Sequence, residues 1–267
     1  MSNKDLLDNI KKLREITGVG FKDCKIAIDE TNGDIDKSIE FLRKKGIAKA
    51  SKKMSRTASE GLALVNEENG KISILEINSE TDFVAKNEDF INFCKELSKI
   101  NFVSKGDLKI LNDAKMSNGA LVKDNLVNLI AKIGEKITIR RAKFFDNSDG
   151  HNFSYVHSAI EKGIGKIISV VKLGGITKDK NYNIGAKIAM HIAASNPLAI
   201  DKDKIDKIIV DKELEIIKAE ITNSGKPQEM AEKISKGKIS KFLNDNSLLN
   251  QIWIMDPKKK VSDILKD

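Results

Sequence analysis

Two hydrophobic patterns meet at residues 78–87, which read Asn78-Ser79-Glu80-Thr81-Asp82-Phe83-Val84-Ala85-Lys86-Asn87. Before them, a run rich in β-branched residues predicts a strand over residues 72–77. After them, Phe90, Cys94 and Leu97 recur at helical spacing. The stretch is therefore a strand-to-helix connection, and connections of this kind lie at the protein surface.

Two interpretations of Asp82 and Phe83 are open from the residue types alone. In the first, Asp82 caps the following helix and Phe83 folds back as a hydrophobic staple. In the second, both side chains point outwards and contact a partner. Without further context the residue types favour the capping interpretation.

The composition is that of a folded chain with a core. The 267 residues are 40% hydrophobic and 32% charged, which predicts one to three domains. No apolar run approaches the eighteen or so residues that a membrane helix needs, and the start of the chain lacks the apolar run of a signal peptide. Cys24 and Cys94 lie on apolar stripes, as buried thiols of a reducing compartment do. We expect a cytoplasmic protein with no membrane association and no metal site.

The net charge of +8 raises the possibility of nucleic-acid binding. The positive charges are mostly lysines spread along the chain, and aromatic residues, which would stack on bases, make up only 5%. We expect no specific nucleic acid as a partner. The alternative is that the chain is a lysine-rich RNA-binding protein. RNA binding at physiological salt with a steep salt dependence would favour that alternative.

Residues 1–46 predict a three-helix docking module with a small core. Gly18, Gly33 and Gly46 are expected to end its helices, and Asp34 is expected to cap the third. The apolar positions of the three helices are Leu6, Ile10 and Leu13; Cys24, Ala27 and Ile28; and Ile35, Ile39 and Leu42. Residues 47–56 have few apolar anchors and are expected to form a linker.

Two core subdomains are expected after the linker, at residues 57–148 and 149–267. The first predicts a hairpin with strands near 62–66 and 71–78, then two helices and a strand over Ile137–Phe145. The second repeats the order of two strands and a helix, and it carries an inserted helical hairpin at about 206–243, with a turn at 224–227. His191 lies near the apolar side of a helix without ligand-spaced neighbours, which favours a structural histidine over a metal ligand.

Several segments resemble one known family in the same order along the chain. They are Leu13–Lys25, Thr81–Ala85, Ala131–Glu135, Lys187–Pro197 and Leu248–Pro257. The family is elongation factor Ts, the guanine-nucleotide exchange factor of elongation factor Tu. The resemblance implies an α+β fold, in which a ubiquitin-associated-like three-helix module precedes a two-subdomain α/β core with antiparallel sheets and an inserted helical hairpin.

The resemblance also implies a mechanism and a set of partner contacts. Phe83 would wedge between helices of the partner's GTPase domain, while Asp82 disturbs the Mg²⁺ and phosphate end of its nucleotide site. The partner would be elongation factor Tu, both GDP-bound and nucleotide-free, and the exchange would need no bond chemistry and no cofactor. The residues implied in partner binding are Thr81, Asp82, Phe83, Val84, Lys25, Ile133, His157, Ile254 and Met255. The helical hairpin is left open as a homodimer contact, a partner contact or a solvated arm.

Other functional classes lack their motifs. A phosphate-binding loop needs a hydroxyl residue after its Gly-Lys pair, whereas Gly165-Lys166 is followed by Ile167 and Gly225-Lys226 by Pro227. With three scattered histidines, no nucleophile–base pair emerges from the sequence order.

Overall fold

The computed structural model describes residues 3–17, 19–175, 182–223 and 228–266, so the expectations for Gly18 and for the turn at 224–227 lie outside it. The helices are α1 (Asn3–Thr17), α2 (Phe21–Glu30), α3 (Ile35–Lys53), α4 (Glu88–Val103), α5 (Leu108–Asp113), α6 (Val122–Ile133), α7 (Tyr182–Ser195), α8 (Lys207–Asn223), α9 (Gln228–Asp245) and α10 (Val261–Ile264). The strands are β1 (Glu60–Glu68), β2 (Lys71–Ser79), β3 (Ile137–Phe145), β4 (His151–His157), β5 (Ile164–Gly165) and β6 (Ile167–Leu173). The α+β class and the antiparallel sheets are confirmed.

The chain forms two compact units. One comprises Met1–Asn152 with Val156–Ile168, and the other comprises Phe153–Tyr155 with Ser169–Asp267. The three-helix module belongs to the first unit, while the domain boundaries expected from the sequence stay predictions. Among the described helices, none combines the length and the apolar character that a membrane span requires.

The core of the three-helix module is built from the apolar faces expected from the sequence. Its buried members are Ile10, Leu13, Cys24, Ala27, Ile28 and Leu42, with Leu6, Ile35 and Ile39 packed against them. Asp34 caps α3 as predicted, because its side chain accepts a hydrogen bond of 3.0 Å from the amide of Lys37.

The end of α3 differs from the expectation. The helix continues through Gly46 to Lys53 and so covers most of the segment predicted as a linker over 47–56. A glycine inside a helix costs about 1 kcal/mol relative to alanine. Ala50, one turn later, is buried in the core of the neighbouring sheet and its helices, and this burial favours the continued helix. Arg43 also pairs with Asp124 of α6 at 2.8 Å, which adds a polar contact between the two helices.

The hairpin predicted between residues 62 and 78 is present and longer at both ends. Strands β1 and β2 pair antiparallel from Glu60 opposite Ser79 to Glu68 opposite Lys71. The two residues between them, Asn69 and Gly70, both have positive φ, as a tight hairpin turn requires. The strand expected over Ile137–Phe145 is confirmed as β3.

One four-stranded sheet organises the first unit. Its order is β3-β2-β1-β5, with antiparallel pairing throughout. Leu62 lies opposite Ile77 and Leu64 opposite Leu75, so these four side chains share one face, where they form a core with α4, α5 and α6. Because β2 ends at Ser79 and α4 begins at Glu88, the connection of residues 80–87 emerges at the edge of this core.

The second unit has its own core. The unit includes Phe153–Tyr155 of β4 and the part of β6 from Ser169 onwards, and these two strands form a separate two-stranded sheet. Ile188 of α7 packs with Leu248, Trp253 and Val261, and Ile184 and Ile192 lie against this cluster as expected. The predicted helical hairpin is present as α8 and α9.

Candidate functional site

Phe83 is the most informative residue of the connection after β2, because 76% of its side chain is exposed. A staple residue would be packed against the following helix. The N-cap of α4 is Asn87, whose side chain accepts a hydrogen bond of 3.2 Å from the amide of Phe90. The capping and staple interpretation of Asp82 and Phe83 is therefore wrong, and both side chains face outwards.

The chain is anchored immediately after Phe83. Val84 is only 4% exposed, and Val84 and Ala85 both pack in the core of the four-stranded sheet. These two residues and Lys86 form a short 3-10 helix. The side chain of Val84 thus holds the connection in place, and the expectation that Val84 contacts a partner stays a prediction.

Asp82 is the charged neighbour of the exposed ring. It forms an ion pair of 3.2 Å with Lys86, and half of its side chain is exposed. The Lys86 ammonium also lies 6.0 Å from the centre of the Phe83 ring. Exposed ion pairs of this kind contribute at most about 1 kcal/mol, so Asp82 can exchange Lys86 for another cation at small cost.

Thr81 is held from the loop that follows α6. Its amide donates to Oε2 of Glu135 at 3.0 Å, and its hydroxyl donates to Oε1 of the same carboxylate at 2.8 Å. In the reverse direction, Glu80 Oε1 accepts a hydrogen bond of 2.6 Å from the amide of Lys136. The two loops therefore exchange hydrogen bonds through two glutamates. We call this group of four residues, Glu80, Thr81, Glu135 and Lys136, the loop brace.

The residues that follow α3 support the loop brace. Arg56 donates to Glu80 Oε2 at 3.2 Å, and the Lys136 ammonium donates to the carbonyls of Met54 and Arg56, each at 2.8 Å. The hydrogen bond from the Lys136 amide, with a smaller contribution from Arg56, holds the pKa of Glu80 below its ordinary value. Glu80 is therefore ionised at neutral pH, as an acceptor in the brace should be.

The other residues implied in partner binding lie on several elements. Ile133 is half-buried at the end of α6, where it packs against the core two residues before Glu135. Lys25 is exposed on α2, and His157 is exposed at the end of β4. Sequence reasoning missed Glu80 and Glu135 as site residues, although Glu135 lies in the family-like segment Ala131–Glu135.

Ile254 and Met255 belong to the second unit, and both side chains are exposed. The amide of Ile254 donates to His191 Nδ1 at 3.4 Å, and the other ring nitrogen of His191 lies 3.0 Å from Gln251 Oε1. Trp253 stacks on the imidazole, with 5.2 Å between the ring centres. His191 is thus a buried histidine with both nitrogens satisfied, as predicted. Burial lowers its pKa, which keeps it neutral.

The described part of the chain contains no cluster of side chains that could bind a metal ion. Across residues 3–17, 19–175, 182–223 and 228–266, no group of three or more His, Cys, Asp or Glu side chains could hold a metal ion. The site consists instead of one exposed aromatic ring and one exchangeable carboxylate on a braced connection, an arrangement suited to contact with another protein.

Comparison with known proteins gives a consistent result. The family model described as Elongation factor TS matches residues 80–267. The chain is 41% identical to Elongation factor Ts of Maricaulis maris over 261 residues, which is 96% of this chain and 84% of that protein. It is 41% identical to Elongation factor Ts of Rhizorhabdus wittichii, with the same shares covered, and 38% identical to Elongation factor Ts of Rickettsia felis, with 97% of this chain and 84% of that protein covered.

Proposed function

The chain belongs to the elongation factor Ts family, and we propose that it is the guanine-nucleotide exchange factor that binds elongation factor Tu and promotes GDP release during translation elongation. The observation that carries the proposal is the exposed Phe83 beside Asp82 on a connection fixed at both ends. Aromatic side chains are enriched among the residues that carry most of the binding energy of protein–protein interfaces.

In the proposed mechanism Phe83 inserts between helices of the GTPase domain of elongation factor Tu. Asp82 leaves its weak pair with Lys86 and disturbs the Mg²⁺ and phosphate end of the nucleotide site. The exchange factor and GDP then weaken each other's binding by the same factor, as thermodynamic linkage requires. Such an exchange breaks no covalent bond, so the protein is not an enzyme in the bond-forming sense and needs no cofactor.

Further contacts are proposed around this centre. Lys25, Ile133 and His157 of the first unit, with Ile254 and Met255 of the second, would bind elongation factor Tu in its GDP-bound and nucleotide-free forms. We place the protein in the cytoplasm, without a membrane or a specific nucleic acid as partner.

The helical hairpin is proposed as a homodimer contact. It exposes the apolar side chains of Ile208 and Ile216 on α8, which such a contact would bury. Sedimentation of the purified protein over a range of concentrations tests this proposal. A single monomeric species at all concentrations would contradict it.

The decisive experiment measures release of a fluorescent GDP from elongation factor Tu by stopped flow. Phe83→Ala should reduce the catalysed rate by about thirtyfold, because a central aromatic contact contributes about 2 kcal/mol. Its melting temperature should stay close to that of the wild type, since the ring is largely exposed.

Val103→Ala is the matched control. Val103 is 81% exposed at the end of α4 and lies outside the proposed contact. It should release GDP at the wild-type rate. A Phe83→Ala variant that exchanges nucleotide normally would refute the proposed function of the ring.

A further inference from the structure

Glu135 binds one residue of the connection at two points. Its two carboxylate oxygens accept the amide and the hydroxyl of Thr81, at 3.0 and 2.8 Å. Ionised acceptors make the stronger class of hydrogen bond. Because one donor is the backbone amide, the carboxylate fixes the main chain of Thr81 as well as its side chain.

The contact matters for Asp82 and Phe83 because Thr81 directly precedes them in the chain. Val84 is buried directly after them. The two outward-facing residues are therefore a short segment held at both ends, by Glu135 on one side and by the core on the other. Without Glu135, Thr81 would keep only the hydrogen bond that its carbonyl accepts from the Ser79 hydroxyl, while Val84 would stay fixed by packing.

The rest of the brace does not replace this contact. Glu80 accepts the amide of Lys136, which holds the two loops side by side. The Ser79 hydroxyl donates to the carbonyl of Thr81 at 2.9 Å. Glu135 accepts the other two hydrogen bonds of Thr81, from its amide and its hydroxyl, so the residue just before Asp82 is held mainly by this carboxylate.

We propose that Glu135 is a positioning residue for nucleotide exchange, which orients Asp82 and Phe83 before the partner binds. The inference rests on the proposed function and names a residue that acts through Thr81. A loop ordered in advance contributes its full contact energy to the complex, whereas a loose loop must be ordered at the moment of binding. Loss of Glu135 should therefore lower the maximal rate of GDP release more than it weakens docking through the other contacts.

The test uses the full-length protein with Glu135→Gln, which keeps the size of the side chain and removes its charge. The maximal rate of GDP release from elongation factor Tu should fall about tenfold, the size expected for loss of a hydrogen bond to a charged group. The concentration of exchange factor at half-maximal rate should change less than twofold. Hydrogen exchange at the Thr81 amide should become faster, while exchange in β1 and β2 stays as in the wild type.

Glu96→Gln is the matched control. The Glu96 carboxylate accepts the amide of Ser117, so it also fastens a loop, but one that is not connected to Phe83. This variant should exchange nucleotide as the wild type does. If Glu135→Gln does not fold, Thr81→Val removes the hydroxyl contact alone and should show a smaller fall in the maximal rate.

The outcomes separate this inference from the proposed function. If the wild-type protein does not accelerate GDP release, the proposed function fails, and the positioning role in exchange fails with it, whatever the Thr81 amide shows. If the wild type is active and Glu135→Gln has the same maximal rate, the inference is overturned. It is also overturned if the variant loses rate only in proportion to a lower melting temperature, since Glu135 would then be a structural residue.

Discussion

Replacing Gly46 by alanine tests whether α3 is one continuous helix. The structure places Gly46 inside α3, with helical backbone on both sides, where the sequence pattern predicted the helix to end. A helix that ends at Gly46 and a helix that continues through it predict opposite changes in the free energy of unfolding. A glycine that ends a helix in the left-handed conformation resists alanine, whereas a glycine inside a helix is improved by it.

The size of the effect follows from two contributions. Alanine is favoured over glycine in a helix by about 1 kcal/mol. The added Cβ would lie 3.5 Å from Cβ of Ala131 and 3.8 Å from Cγ1 of Val127, which are ordinary van der Waals contacts. Burying a methyl group adds up to about 0.8 kcal/mol. Gly46→Ala should therefore stabilise the first unit by about 1–2 kcal/mol, or raise its melting temperature by roughly 2–8 °C.

The assay is thermal and denaturant unfolding beside a matched variant. Gly237 lies inside α9, and a Cβ there meets nothing within 4 Å. Gly237→Ala should gain only the helix preference of about 1 kcal/mol, seen in the second unit. Destabilisation by Gly46→Ala would refute the continuous helix and restore the linker predicted from the sequence.

Three further predictions concern buried groups. Burial lowers the pKa of His191 below its ordinary value of 6.5, so the unfolded chain gains a proton first and the stability of the second unit should fall as the pH drops below about 6.5. His191→Gln should lose this part of the dependence in thermal unfolding measured against pH. Gly185→Ala should destabilise the second unit by about 1–3 kcal/mol, because the added Cβ would lie 2.1 Å from Cδ2 of Phe153. An unchanged midpoint of denaturant unfolding would contradict that packing. Burial raises the pKa of the Cys94 thiol, so a thiol reagent should label it only as the protein unfolds, and rapid labelling of native protein would disprove its burial.

Local patterns were enough to predict most elements of the fold. The three apolar faces of the module, the hairpin before residue 80 and the strand β3 follow from spacing and turn residues that lie within each element. The end of α3 could not be predicted this way. Gly46 gives a local signal to stop, whereas the burial of Ala50 depends on a sheet that begins only at Glu60.

The site was predictable in part for the same reason. The family-like stretch indicated Asp82 and Phe83, and their exposure agrees with an outward-facing role. The acceptor that holds Thr81 lies 54 residues further along the chain, and no spacing rule connects the two. The sequence predicted Val84 as a partner-binding residue because it belongs to the same stretch. Its inward orientation is visible only in the packed core.

The loop brace lowers the free-energy cost that an exchange factor of this kind would meet when its connection is ordered on binding. Coupling between two ligands of one protein typically amounts to about 1–3 kcal/mol. Fixing the backbone of one residue costs about 1–2 kcal/mol, so ordering Thr81, Asp82 and Phe83 during binding would cost about 3–6 kcal/mol. That cost would exceed the whole coupling energy. A wedge on a loose connection would therefore bind the partner more weakly, in its GDP-bound and its nucleotide-free form alike. The buried Val84 on one side and the Glu135 carboxylate on the other remove this cost before the partner arrives, which leaves the contact energy of Phe83 available to act against bound GDP.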